Sequence, residues 1–212
     1  MRKRRISNTC IAIMERDGIV YMAGDRRSSW GFDQAQSMPA PKIANRGGML
    51  IGATGSGFLC SLVVDIIKFP DVPKTKPMHY MCNVVTKTIY DDLVSKGFAT
   101  PSGFLKIPSD YYCEAIIVIK GNAYSLVIEN AYSEDSHEGA IANITVDPVS
   151  IPYATGCGGQ WAWGVLEEHK NFVNAGKIKL TPQESLKRAL KIAAKFSPGC
   201  DSVIDIISEK VI

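Results

Sequence analysis

The sequence predicts an α+β fold of four layers, helix–sheet–sheet–helix, in which two antiparallel sheets stack face to face. Three observations carry this expectation. Apolar runs come in pairs joined by glycine-bearing turns, the pattern of β-hairpins. Between them lie segments whose apolar residues recur at helical spacing along one side, and each such stripe must cover a sheet face. Runs such as EAIIVIK are nearly continuous in apolar residues, as expected for strands covered on both faces.

The first hairpin spans Thr9–Met14 and Gly18–Ala23, turning through Arg16-Asp17-Gly18. The second, KIANRGGMLIGATG, turns at Arg46-Gly47-Gly48. The period then changes. GFLCSLVVDIIKF places Leu59, Leu62, Val63, Ile66 and Ile67 at helical spacing, and Pro70 and Pro73 stop it. MHYMCNVVTKTIYDDLVSKG predicts a second helix with Met81, Val84, Val85, Ile89 and Leu93 on one side and Gly97 as C-cap. Gly121-Asn122 turns a third hairpin, EAIIVIKGNAYSLVIEN. Tyr132–Asp147 is polar and rich in turn formers, and is expected to be a long loop or small insertion. A short strand near Ile151–Ala154 and the cluster TGCGG precede a helix from about Gln160 to Phe172. Thr181-Pro182-Gln183-Glu184 is a capping box with Pro at the first helical position, opening a helix to about Phe196. SVIDIISEKVI closes the chain as a strand.

The 212 residues suit one domain with a self-sufficient core. A net charge of +3 is too small to argue for nucleic acid, and its local excess, Arg2-Lys3-Arg4-Arg5, reads as a solvated terminus. No apolar run approaches the roughly 20 residues of a membrane span, and no signal-peptide pattern is present. The six cysteines are scattered without a CxxC pair, and the three histidines are dispersed, so neither metal nor cofactor is expected. Free thiols fit a reducing cytoplasm.

Four stretches carry a resemblance: TCIAIMERDGIVYMAGDRRSS from Thr9, PKI at Pro41–Ile43, IGATGSG at Ile51–Gly57, and ATGCGGQWAWGVLE at Ala154–Glu167. In this order and on these elements, they make the sequence similar to the proteasome β subunit and HslV group of N-terminal nucleophile (Ntn) hydrolases, over most of the chain. The resemblance implies that Met1–Asn8 is a propeptide and that 9–212 is the catalytic domain. It implies a threonine-type endopeptidase in which self-processing frees Thr9. A threonine hydroxyl is a weak nucleophile at neutral pH, but the freed α-amine, with an ordinary pKa of about 8, can take its proton. The resemblance further implies Lys42 as the ammonium beside the nucleophile, Asp25 as the carboxylate that orients it, and Gly52 as the oxyanion N–H donor. Cys157 stands where the family has a supporting serine. Ser28 and Ser29 are expected to line the substrate channel, and Leu50 to floor an apolar pocket for the residue before the cut. The implied partners are unfolded polypeptide, further copies in a homo-oligomeric ring that uses the helix Met78–Ser95, and a separate ATP-driven unfoldase.

Taken singly these residues have plainer readings. A threonine often begins a strand, an aspartate often ends one, and a lysine is usually solvated. IGATGSG is not a phosphate loop, because no Gly-Lys-Ser/Thr follows. The sequence also departs from the family pattern. Asn8 replaces the usual glycine before the nucleophile, Cys157 replaces a serine, and FSPGCDSVID holds no clean Asp-x-x-Ser motif, with Ser197 and Asp201 its nearest counterparts. These departures sustain two alternatives: a ring-forming scaffold subunit that has lost its chemistry, and an amidase acting on small molecules.

Overall fold

The computed structural model describes residues 9–30, 34–74, 76–130 and 141–211. The expected propeptide, Met1–Asn8, lies outside the described residues. Strand β1 (Cys10–Arg16) turns at Asp17-Gly18, both at positive φ (55° and 69°), into β2 (Ile19–Asp25). The Asp-Gly pair is there because this tight turn needs left-handed backbone at both central positions. A two-stranded ribbon follows, β3 (Arg27–Trp30) and β4 (Gln34–Ser37), which the periodicity did not predict. Next come β5 (Ile43–Arg46), β6 (Met49–Gly55), β7 (Cys113–Ile119), β8 (Asn122–Asn130) and β9 (Ala142–Val149). The last strands are β10 (Tyr153–Gly156) and β11 (Ile204–Lys210).

Among the described residues these strands form two large antiparallel sheets. One has the order β10-β1-β2-β11, and the other runs β5-β6-β7-β8-β9 in chain order. On the outer face of the five-stranded sheet lie α1 (Gly57–Ser61), continued by a π-helical turn (Leu62–Ile66), then α2 (Pro77–Tyr80), a second π-helical turn (Met81–Val85) and α3 (Thr86–Ser95). Their side chains Leu59, Val63, Met81, Ile89 and Leu93 meet Ile51, Ile117 and Leu126 of that sheet in one core. On the four-stranded sheet, α4 (Gly159–Asn174) and α5 (Pro182–Phe196) pack Ala162, Leu166, Leu186 and Leu190 against Cys10, Ala12 and Ala23. A third core, with Ile11, Ile13, Met22, Leu50 and Ile116, lies between the sheets. The fold is the expected four-layer αββα sandwich. Burying each such aliphatic side chain contributes about 1.5–3 kcal/mol, so the face-to-face stacking is held by apolar burial.

Two local expectations are corrected. Of the stretch Tyr132–Asp147, residues 132–140 lie outside the described residues, and Ala142–Asp147 is not loop but part of β9, which pairs with β8 along Ala123–Asn130. Its alternation is weak because β9 is an edge strand, mostly outside the core, and carries Asp147 and Pro148. The first helix stops at Ile66, short of Phe69, because Ile67 is already extended (ψ 131°).

His169, on the buried side of α4, is 3% exposed, and its Nδ1 has no hydrogen-bond partner among the described residues. Burial, and then the charge of Arg188, hold its pKa below the ordinary imidazole value, against a smaller opposing pull from Glu168. A group whose folded pKa is depressed binds its proton better in the unfolded chain. The stability it allows is therefore complete above pH 6.5 and falls as pH drops below that. Urea unfolding at pH 7.5 and 5.5 is expected to show a smaller loss of stability for His169→Gln than for the natural chain. Equal losses would contradict this account.

Candidate functional site

The site forms where the two sheets' strand ends meet. Thr9 precedes β1 and is 4% exposed. Asp25 ends β2 and is 0% exposed. β1 and β2 are hairpin partners in which Ile11 faces Gly24, so the register brings the residue before one strand beside the residue closing the other. Lys42 immediately precedes β5 and reaches in from the second sheet. Its Nζ donates to Thr9 Oγ1 at 2.6 Å and to the carbonyl of Arg27, and lies 3.5 Å from Asp25 Oδ1.

The Asp25 carboxylate is held by more than Lys42. Oδ1 accepts from the backbone N–H of Cys10 at 2.8 Å. Oδ2 accepts from the N–H of Arg27 at 3.1 Å and of Asp201 at 2.8 Å. Burial pushes the Asp25 carboxyl up, opposed by the charge of Lys42 and by these three N–H groups. Burial likewise holds the Lys42 ammonium below its ordinary value, with Asp25 pulling it back. A lysine of lowered pKa whose Nζ touches a hydroxyl can relay or stabilise a proton there.

On the other side of Thr9, Gly156 approaches so closely that a Cβ would come 2.1 Å from the Thr9 carbonyl oxygen. With φ at +90°, this position requires glycine. Cys157 Sγ lies 3.5 Å from that oxygen and 3.5 Å from Cys200 Sγ. Its thiol is pushed far up by the contact with Cys200 and by burial. Cys200 is pushed up to about 12, chiefly by its hydrogen bond with Cys10. Both thiols are therefore protonated at neutral pH and act as weak donors. Ser197 also bonds Cys157, and the Asp201 backbone bonds Asp25, so FSPGCDSVID supplies support to the site without the family's motif.

A cleft of about 260 Å³ opens beside Thr9 and Lys42, and Ser28 lines it. Ser29 sits on the neighbouring position of β3, opposite Ala35 in the ribbon. Two expected residues do not face this cleft. Leu50 is 0% exposed in the core between the sheets; the β6 residues on the cleft wall are Ala53 and Gly55. Gly52 is paired with Ile43 and Ile116 inside the sheet, and a Cβ there would strike Ile11, Ile43 and Met22. Its N–H is turned into the ladder. Ala53 donates its N–H to the Lys42 carbonyl at 3.3 Å. Two residues on, Gly55 closes β6 and lines the cleft, on the side of the strand that alternation gives to Ala53. Gly55 also must be glycine, with φ at +127° and the Tyr112 carbonyl oxygen 2.1 Å from where a Cβ would stand. Sequence reasoning could have preferred Gly55 only by knowing where β6 ends.

Neither protein-family models nor curated proteins match the chain. Solved structures do match in fold. BPH of Thiobacillus denitrificans, solved alone and in complex with epoxomicin, superposes with a TM-score of 0.66 at 17% identity, over 96% of this chain and 98% or 99% of that one. Eukaryotic HslV from Trypanosoma brucei gives 0.55 at 14% identity, over 95% and 99%. Anbu (ancestral beta-subunit) from Yersinia bercovieri gives 0.58 at 13%, over 95% and 81%. The chain therefore has the αββα fold of proteasome-type proteins.

The three N–H donors make Asp25 more important to stability than Lys42. Asp25→Ala orphans all three, at about 1–3 kcal/mol for each buried donor, so a loss of at least about 3 kcal/mol is expected. Lys42→Met leaves those bonds in place and is expected to cost less. Urea midpoints of the two variants check the order, and a more destabilised Lys42→Met would contradict it.

Proposed function

We propose that this protein is a proteasome-type threonine peptidase whose nucleophile is the Thr9 hydroxyl, with the α-amine freed by self-cleavage after Asn8. The contact that supports this most directly is Lys42 Nζ to Thr9 Oγ1 at 2.6 Å, backed by the buried Asp25 and opening on a cleft. In this reading the neutral Thr9 amine takes the hydroxyl proton as Oγ1 attacks the peptide carbonyl carbon. The positive charge of Lys42 keeps that amine neutral and stabilises the alkoxide as it forms. The tetrahedral oxyanion accepts from the Gly55 N–H, a contact of the kind whose loss costs about 10²–10³ in rate. The protonated amine then gives its proton to the leaving nitrogen. An ester on Thr9 remains, and the amine activates water to hydrolyse it. Asp25 fixes Lys42, while Cys157, Ser197 and Cys200 hold the Thr9 backbone in place.

The reading includes a cytoplasmic homo-oligomeric ring fed with unfolded polypeptide by a separate ATP-driven unfoldase. The ring contact uses the α2–α3 face, where Met78 and Tyr90 are exposed. Among the described residues no helix is long and apolar enough to cross a membrane. One observation favours the scaffold alternative, in which the fold is kept without chemistry: Cys157 and Cys200 offer Thr9 protonated thiols where a hydroxyl would bind more strongly.

A fluorogenic peptide assay separates the two. Thr9→Ala and Lys42→Arg are both expected to fold and to lose activity by at least about 10³-fold. Arginine keeps the charge but cannot fit its planar head among Thr9 Oγ1, Asp25 and the Arg27 carbonyl. Activity in Thr9→Ala equal to that of the natural chain would overturn the peptidase reading.

A further inference from the structure

The cleft has a second end. Gly57, Cys60, Ser61, Val64 and Asp65 all line it. Their spacing puts them on one face of α1 and the π-helical turn that continues it. Gly57 follows the end of β6, beside Thr9's partners. Asp65 lies eight residues on, roughly 12 Å along the helix axis at about 1.5 Å per residue. The lining mixes apolar surface from Ala53, Val64, Met38 and Ala40 with the serines Ser56 and Ser61.

The charges along this wall are unequal. Lys42 has Asp25 beside it, and Arg27 lies in the field of Asp201. Asp65 is exposed, and among the described residues its carboxylate has no hydrogen-bond or ion-pair partner. Arg46, across from this turn, donates to the carbonyl of Val64 at 2.9 Å. The cleft thus has Thr9 and Lys42 in one part of its lining, the apolar side chains of Ala53 and Val64 in another, and, on the same helical face as Val64, a carboxylate without a partner among the described residues. A lysine or arginine side chain, an apolar stem with a cationic head, has that same order of properties.

We propose that Asp65 makes this cleft selective for peptides with a lysine or arginine immediately before the cut. The proposal rests on the peptidase reading, because it places the side chain preceding the attacked carbonyl in the space beside Thr9. The stem lies against Ala53 and Val64, and the head pairs with Asp65. One partly exposed ion pair is worth up to about a fivefold preference, and a charge reversal at Asp65 inverts it.

The test uses the full chain and three fluorogenic peptides identical except for arginine, leucine or glutamate before the cut. The natural chain is expected to favour arginine over leucine by about fivefold in kcat/KM, mainly through KM. Asp65→Asn is expected to bring that ratio near one, and Asp65→Lys to favour glutamate over arginine. Thermal midpoints within a degree or two of the natural chain show that the variants fold, since Asp65 is exposed. An arginine-to-leucine ratio unchanged by both substitutions overturns the role of Asp65 and leaves the peptidase reading standing. No cleavage of any of the three peptides overturns the peptidase reading and this inference with it.

Discussion

The buried carboxylate of Asp25 is the constraint on which the site depends. A fully buried negative charge is tolerable only when it is hydrogen-bonded and paired. Here its partners come from four separate places: the start of β1, the start of β3, the segment between α5 and β11, and the lysine before β5. Those segments belong to both sheets and to the ribbon. Satisfying one charge therefore fixes the relative position of Thr9, Lys42 and the cleft wall. The charge is costly to bury, but its removal would free three backbone donors and the ammonium together.

The same economy appears on the far side of Thr9. Gly156 lets β10 close against the Thr9 carbonyl, and the register Cys10–Gly156 sets Cys157 over that oxygen. Cys10, Cys157 and Cys200 then pack as a small cluster of thiols. A thiol donates weakly, so the position of Thr9 is secured more by close packing of backbone than by hydrogen bonding from side chains. This distinguishes the two flanks of Thr9: charged and strongly bonded toward Asp25, apolar and close-fitting toward Cys157.

Much of this was legible in the sequence, and the exceptions have physical causes. The hairpins declared themselves through Asp17-Gly18, Gly47-Gly48 and Gly121, which take positive φ; the third turn is Lys120-Gly121, one residue before the expected Gly121-Asn122. The helices declared themselves through one-sided apolar stripes and, for α5, a capping box that the structure contains. The edge strand β9 was missed because only Ala142 of it is buried in the core, so its apolar pattern is weak, and the short β3–β4 ribbon has no apolar alternation to read. Thr9, Asp25 and Lys42 could be named from motif likeness, and the fold brings all three together. Gly52 and Leu50 were misplaced because a motif does not reveal register. A shift of three residues along β6 separates a glycine inside the sheet from one on the cleft wall. Asp201 could be named only as the nearest counterpart of a missing motif, because its contribution is made by a backbone N–H, which leaves no mark on side-chain identity. Asp65 was passed over because a charge on an exposed helix face is ordinary until a cleft is known to run beneath it.

The central claim is that Thr9 acts through its own amine as well as its hydroxyl, and an amine held in a peptide bond cannot accept a proton. Intact-mass measurement of the purified protein, alongside its Thr9→Ala variant, tests this most directly. The account predicts that the natural chain loses residues 1–8 and begins at Thr9, while the variant retains them. A natural chain that keeps Met1–Asn8 and yet cleaves peptides would contradict it.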